Sequence, residues 1–323
     1  MKFTLQSIII GLVCIFIPKI NVAQAPDLGT TAGFALFTSV GAFDNNGASV
    51  VTGDVGTNAG AFTAFPPGTL LGQKYVVDGQ SLQAASDLDV AATDLNTTTC
   101  GTTIGITLGN GQTLTPGVYC QPAASSLNAN LILDGQGDPN ALFIIKIGGA
   151  LSTSTNSNVT LINAATANNV YWLIGGEFDL GDGSVFRGTI VANGAINLLE
   201  ASTLYGRALS RSGAIALHNN VVTTFPWAAG IITGTAAVCQ SQTVVNYSIP
   251  PITNATGYLW ILPSGATISS GGNTNVISVD YNASAVDGII TVQGTNDSGV
   301  GIVSANYSVT VNTATLTSAI YHN

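Results

Sequence analysis

The chain has 323 residues and a formal charge of −9, and only 7% of its residues are charged, with 7 Lys and Arg against 16 Asp and Glu. Soluble domains average about a quarter charged residues, so Thr, Ser, Asn, Gly and Ala must supply most of the wetted surface. The lack of a Lys/Arg stripe argues against nucleic acid and anionic membrane as partners. Two Glu (Glu177, Glu200) and two His, one of them the penultimate His322, supply general acid–base chemistry poorly, so the chain reads as a non-enzyme needing no cofactor or metal.

Residues 1–25 read as a secretory signal peptide. Lys2 precedes an apolar run from Ile8 to Ile17, and Ala23-Gln24-Ala25 supplies a small-x-small cleavage site. The run is short for a membrane span, although an uncleaved anchor is the alternative. Loss of Lys2 and Lys19 leaves 5 basic against 16 acidic residues, a net charge of −11. Nothing later in the chain is long and apolar enough to span.

From Asp78 to Leu95 the apolar residues Leu82, Ala85, Leu88, Ala92 and Leu95 recur at helical spacing, with Asp78 or Ser81 as N-cap and Asp87, Asp89 and Asp94 on the solvent side. Cys100 and Cys120 flank a Gly/Thr-rich stretch and are expected to form a disulfide, worth about 3 kcal/mol on chain-entropy grounds. That leaves Cys239, read as a buried free thiol, with an intermolecular bond as the alternative.

Four windows then repeat: Gly148-Gly149-Ala150-Leu151, Gly175-Gly176-Glu177-Phe178, Asn193-Gly194-Ala195-Ile196 and Ser212-Gly213-Ala214-Ile215. Gly176, Gly194 and Gly213 are 18 and 19 apart, and the 27 residues from Gly149 to Gly176 fit one coil with an inserted loop. Such a period, with Gly at turns and alternating apolar residues, predicts a β-solenoid over residues 26–227. Lys146, Arg187, Arg207 and Arg211 fall on successive coils and are expected to pair with nearby acids. Near residue 227 the pattern changes. Strand-like runs at Thr243–Ile249, Tyr258–Leu262, Val276–Asp280, Ile289–Gln293 and Asn306–Val311, separated by turn signals, predict a small β-sandwich over residues 235–313 with Trp260 as its core aromatic, and residues 314–323 form a tail.

The stretches Thr52-Gly53-Asp54-Val55-Gly56, Phe65-Pro66-Pro67-Gly68, Leu114-Thr115-Pro116-Gly117-Val118-Tyr119 and Asp134-Gly135-Gln136-Gly137-Asp138-Pro139, with Asn169-Val170-Tyr171-Trp172, Gly188-Thr189-Ile190 and Gly206-Arg207-Ala208-Leu209, resemble the secreted bacterial and fungal ice-binding proteins of the discontinuous-solenoid family. The matches run in order from about Leu28 to Val222. The resemblance implies a mostly β fold: a right-handed solenoid of triangular cross-section, one long helix packed alongside, and an N-terminal coil inserted out of sequence order. The tail region, with Ala237-Val238-Cys239, Ser264-Gly265-Ala266-Thr267-Ile268 and Gly294-Thr295-Asn296, resembles PKD or immunoglobulin-like modules. Such modules often carry a second cysteine where this chain has Asp297-Ser298-Gly299.

The resemblance implies adsorption to ice through a flat solenoid face bearing a Thr-Ala/Gly-x-Thr/Asn pattern, and so an antifreeze role. The tracts aligned with that pattern are 155–158, 181–184, 200–203 and 217–220, and with Thr153 just before the first they give Thr153, Thr155, Asn158, Ser184, Ala201, Thr203 and Asn220 as the expected ice-contacting residues. Asp182, Glu200 and His218 stand within or beside them. Two other readings use the same scaffold. One is a surface adhesin or carbohydrate-binding module reaching cell-surface or matrix components through the sandwich; the other is a polysaccharide lyase, for which Arg207 and Arg211 lack a clear Asp cluster. Glu177, Asp179 and Asp182 also have the look of a calcium-binding repeat, but one that occurs once and is short of ligands.

Overall fold

The computed structural model describes residues 24–226 and 229–313. The apolar run of the expected signal peptide and the 314–323 tail lie outside the described residues.

Between Phe34 and Thr223 the chain winds into stacked coils, each laying one short strand on each of three faces. Along each strand every second residue points inward. Phe178 and Leu180, Ile196 and Leu198, and Ile215 and Leu217 therefore stack coil over coil in one core with Phe43, Leu151, Trp172 and Phe186. Neighbouring strands are parallel throughout. On the second face their spatial order is Phe62–Thr63, Phe43–Asn45, Ile215–Leu217, Ile196–Leu198, Phe178–Leu180, Leu151–Thr153, Ser125–Asn128 and Thr107–Gly109. The coils first in sequence thus sit against the last one, with Phe37 beside Leu209, Phe43 beside Ile215 and Val51 beside Val222. This is the out-of-order insertion that the resemblance implies. The inserted loop between Gly149 and Gly176 is the segment after Ile162, which contains a 3-10 turn at Ala167–Asn169.

At the corner where two faces merge, Val185–Ala192 and Thr203–Ser210 run through without a break. Gly206 has φ 149° there, and a Cβ on it would lie 1.9 Å from the Gly188 carbonyl oxygen, so only glycine lets these coils close on one another.

The helix α1, Gly79–Thr97, carries the chain back along the first face to the far end of the stack. Its 19 residues span about 28 Å, enough to cross about six strands at 4.7 to 4.9 Å each. Asp78 caps it: its carboxylate accepts from Ser81 N, and Ser81 Oγ accepts from Asp78 N, both at 2.8 Å. The buried stripe is Ser81, Ala84, Leu88, Ala91, Ala92 and Leu95, packed on Phe34, Phe37, Val118, Ile144, Leu173, Val191 and Leu209. Leu82, expected on this stripe, is 64% exposed; the small residues at 81, 84 and 91 let the helix approach the sheet more closely than leucine would. Asp87 does not simply face solvent. Although partial burial works the other way, hydrogen bonds from Thr30 Oγ1, Thr30 N and Gln83 Nε2 hold its carboxyl below the usual range. Cys100 and Cys120 are disulfide-bonded, tying the segment after α1 to the strand Gly117–Gln121.

Among the described residues, Arg211 is the one basic side chain of the solenoid that finds an acid, Asp89, at 2.8 Å. Lys146 Nζ instead donates to the free carbonyls of Asn96 and Thr98 at the end of α1. Arg187 donates to Asn158 Oδ1 and the Val159 carbonyl, and Arg207 to the Ala32 carbonyl. With so few acids in the chain, backbone carbonyls are the nearer acceptors.

Beyond the solenoid two sheets face each other. One holds Thr233–Gly234, Val245–Ser248, Val276–Tyr281 and Ala266–Ser270; the other holds Ala237–Cys239, Tyr307–Asn312, Gly288–Asn296, Gly257–Ile261 and Gly299–Val300. Trp260 is buried between them, its Nε1 donating to the Thr274 carbonyl at 2.9 Å, in the same core as Tyr247 and Tyr281, whose hydroxyls pair. Cys239 is exposed rather than buried. Strand alternation gives the inward position to Val238, which is 1% exposed. Asn296 Nδ2 and Ser298 Oγ donate to the Thr224 carbonyl at 3.0 and 3.1 Å. These bonds seat the sandwich on the corner between the third and first faces, opposite the second face.

Candidate functional site

Of the three faces the first is covered by α1. The third mixes heights: Asn130, Asn158, Val185, Thr203, Val221, Val50 and Thr69 form one row, and beside it Thr160 is followed by Arg187, Tyr205 and Thr223. The Arg187 guanidinium lies 5.2 Å from the Tyr205 ring centre, so long side chains interrupt the threonines along this row.

The second face is different. Its central outward row is Thr107, Ser126, Ser152, Asp179, Asn197, Ala216, Asp44 and Thr63, one residue per strand in unbroken register. Two residues earlier in each coil, just ahead of the strand, runs a second row: Gly105, Ala124, Ala150, Glu177, Ala195, Ala214, Ala42 and Ala61, of which the last six accept hydrogen bonds at their carbonyls from the adjoining coils. Almost every side chain in both rows ends at a methyl, a hydroxyl or a short amide, so their tips lie near one plane. The charges in these rows are Asp44, Glu177 and Asp179. Two are grouped: Asn197 Nδ2 donates to both Glu177 Oε1 and Asp179 Oδ1 at 2.7 Å, while Asp44 Oδ1 accepts from Thr63 Oγ1 at 2.8 Å. Asp182, read with Glu177 and Asp179 as a possible calcium repeat, instead accepts from Glu200 N at the corner. Among the described residues no three His, Cys, Asp or Glu side chains are placed to hold one metal ion.

A column of glycines precedes the alanine row. A Cβ on Gly60 would lie 2.1 Å from the Gly41 carbonyl oxygen, and one on Gly213 would lie 2.2 Å from Ala195 N. Glycine here sets the close coil spacing that keeps the face flat.

The sequence-expected residues divide. Thr153, Ser184 and Asn220 are 8%, 0% and 1% exposed and cannot meet an external surface. They belong to a buried ladder at the corner between the second and third faces. Ser184 Oγ donates to the Ser154 carbonyl and accepts from Ser157 N, Thr153 Oγ1 accepts from Gly181 N, and Asn220 Nδ2 donates to Ser202 Oγ. Ser184 and Asn220, like Ser157 and Ser202, follow corner residues in left-handed conformations, Gly183, Asn219, Asn156 and Ala201, and the turn swings them inward to satisfy backbone groups that the corner leaves unpaired. Thr153 is turned inward by strand alternation, in register with the buried Leu127. Thr155 and Ala201 are exposed on that corner. Asn158 and Thr203 are half-buried on the third face, with Asn158 held by Arg187. The tracts thus do not form one surface. What sequence reading missed is the outward pair that follows each repeated glycine. Gly149-Ala150-Leu151-Ser152, Gly194-Ala195-Ile196-Asn197 and Gly60-Ala61-Phe62-Thr63 each carry Ala-x-polar leading into a strand, where extended alternation turns both residues outward.

The profile of the Ice-binding-like family matches residues 37–223, and that of a PKD-like domain matches residues 225–310. An ice-binding protein of Nostoc sp. (strain HG1) is 36% identical over 210 residues, covering 64% of this chain and 77% of that one. Among solved structures, an ice-binding protein from the Antarctic ascomycete Antarctomyces psychrotrophicus is 34% identical with a TM-score of 0.60, covering 62% of this chain and 98% of the other. An ice-binding protein from an Antarctic Flavobacteriaceae bacterium is 38% identical with a TM-score of 0.59, covering 68% and 56% of the two chains. With more than half of its length matched by the family profile and its coils stacked in the same out-of-order arrangement that its motifs imply, this chain belongs to the Ice-binding-like family and carries a PKD-like domain behind its solenoid.

Proposed function

We propose that this protein is exported after removal of residues 1–25, adsorbs to ice through its second face, and inhibits ice growth and recrystallisation. The observation that carries the reading is the pair of registered rows of Ala and Ser/Thr/Asn on parallel strands. Strand spacing of about 4.7 to 4.9 Å across the face and about 6.6 to 6.8 Å between alternate residues along it makes a regular lattice of methyls and hydroxyls. Hydroxyls hold water in register while methyls keep disordered water out. Each ordered water costs at most about 2 kcal/mol to immobilise, so many weak contacts sum to tight adsorption. The relatives named above are ice-binding proteins, and the sandwich, seated on the opposite corner, leaves the face open.

The test compares faces. Ala195→Tyr or Ala214→Tyr puts a bulky ring in the alanine row and is expected to abolish most ice-affinity capture and recrystallisation inhibition. Thr203→Tyr and Thr160→Tyr on the third face leave both near wild type. Full activity in a folded Ala195→Tyr protein would overturn the assignment of the face. No ice activity in the wild type would overturn the function.

A further inference from the structure

A cleft of about 360 Å³ opens on the corner opposite the flat face, where the 3-10 turn Gly29–Gly33, the outermost coils and the start of the sandwich meet. Arg207 lines it and is 5% exposed. Its Nε donates to the Ala32 carbonyl at 2.9 Å, one terminal nitrogen lies 3.4 Å from Thr189 Oγ1, and its plane sits 4.7 Å from the Phe225 ring centre. A guanidinium has five N–H donors, so several remain without a protein acceptor among the described residues. No carboxylate among those residues pairs with it. Desolvation by burial lowers its pKa to about 10, which still leaves it cationic at neutral pH. A buried cation with no carboxylate in contact is unfavourable, and an anion entering the cleft would relieve it.

The other walls define which anion. Asp54, its carboxyl pushed up by burial, shares the cleft with Thr30, Gln80 and Asn168, while Tyr75, Pro226 and Ile302 supply apolar surface. We propose that this cleft binds a hydroxylated ring carboxylate, the chemistry of a uronic acid, with its carboxylate on the Arg207 guanidinium. Asp54 repels a doubly charged phosphate or sulfate more than a monoanion, and with Gln80 and Asn168 it offers acceptors and donors to ring hydroxyls. The apolar walls take the ring's C–H faces. The volume falls in the range of ordinary small-molecule sites, about 300 to 1,000 Å³, and a fork-shaped guanidinium suits a carboxylate. The inference does not depend on the ice-binding reading, because cleft and flat face lie on opposite sides of the solenoid.

The experiment titrates the full chain with sodium glucuronate by calorimetry, with glucose and inorganic phosphate as controls. Saturable binding at one site per chain is expected, with glucose and phosphate at least about tenfold weaker, a difference of about 1.4 kcal/mol. Because Arg207 also holds the turn at Ala32, Arg207→Gln is paired with Ile302→Trp, which fills the cleft from a position 57% exposed. Ile302→Trp is expected to lose at least about tenfold in glucuronate affinity while its unfolding temperature and ice capture stay as in wild type. No saturable glucuronate binding, equal affinity for glucose or phosphate, or undiminished affinity in Ile302→Trp would each overturn the proposal.

Discussion

Asn197 donates to two carboxylates at once, and this local arrangement sets the quality of the flat face. Glu177 and Asp179 occupy positions where neighbouring coils carry Ala150 and Ser152 on one side and Ala195 and Asn197 on the other. Ionised carboxylates order water around themselves in a geometry of their own, and they break the run of methyls and hydroxyls near its middle. Glu177→Ala combined with Asp179→Ser restores the run. The concentration needed for half-maximal recrystallisation inhibition is expected to fall by roughly fivefold to tenfold, the scale of about 1 to 1.4 kcal/mol in adsorption. An unchanged or weaker activity would place the limiting defect elsewhere. By the same logic Ser184→Ala, inside the corner, lowers stability rather than ice affinity, because it removes a buried partner from Ser157 N and the Ser154 carbonyl.

At the scale of elements, the helix is a returning strut. It begins beside the coils first in sequence and delivers the chain to the other end of the stack, where the Cys100–Cys120 disulfide fastens it before the first strand of the ascending coils. Closing a loop of this size is worth about 3 kcal/mol. In a chain of this length each kcal/mol shifts the midpoint by about 2 to 4 °C, so Cys100→Ser with Cys120→Ser is expected to unfold roughly 6 to 12 °C lower by calorimetry, with the flat face still active at 0 °C. The helix was legible in the sequence because its period and its cap are local. Leu82 was misplaced because that period fixes a stripe only to within one position, and the choice between Leu82 and Ser81 rests on how closely the sheet lets the helix approach.

At the scale of the molecule, the sandwich is held by a few hydrogen bonds to the last turn of the solenoid. Asn296→Ala with Ser298→Ala removes the donors to the Thr224 carbonyl, at a cost of about 1 kcal/mol per bond. Two-domain chains need not unfold in one step, so calorimetry is expected to resolve a separate, earlier sandwich transition in this variant. Ice capture is expected to stay at wild-type level, since none of these groups touches the second face. Loss of ice capture on loosening the sandwich would mean that the two parts act together.

The fold was readable from the chain alone wherever the signal was periodic. The repeated Gly windows, the alternating apolar residues and the near absence of charge leave few ways to bury a core other than stacked coils, whereas the out-of-sequence insertion was implied by the family resemblance and not by the period. The five expected sandwich runs each hold a strand and Cys100 pairs with Cys120, since these signals lie in nearby sequence, while the shorter strands Thr233–Gly234, Ala237–Cys239, Ala266–Ser270 and Gly299–Val300 were not read. Which small polar residues face outward was not readable. Thr153, Ser184 and Asn220 look like surface residues by composition, yet strand alternation turns Thr153 inward and left-handed turns at Gly183 and Asn219 rotate Ser184 and Asn220 into the corner, where their oxygens and amides satisfy buried backbone groups. Sequence thus determined that the surface would be small, polar and uncharged. Only the tertiary structure decided which of its residues share one plane, because that depends on the sign of φ at a few corners and on how the coils register against each other.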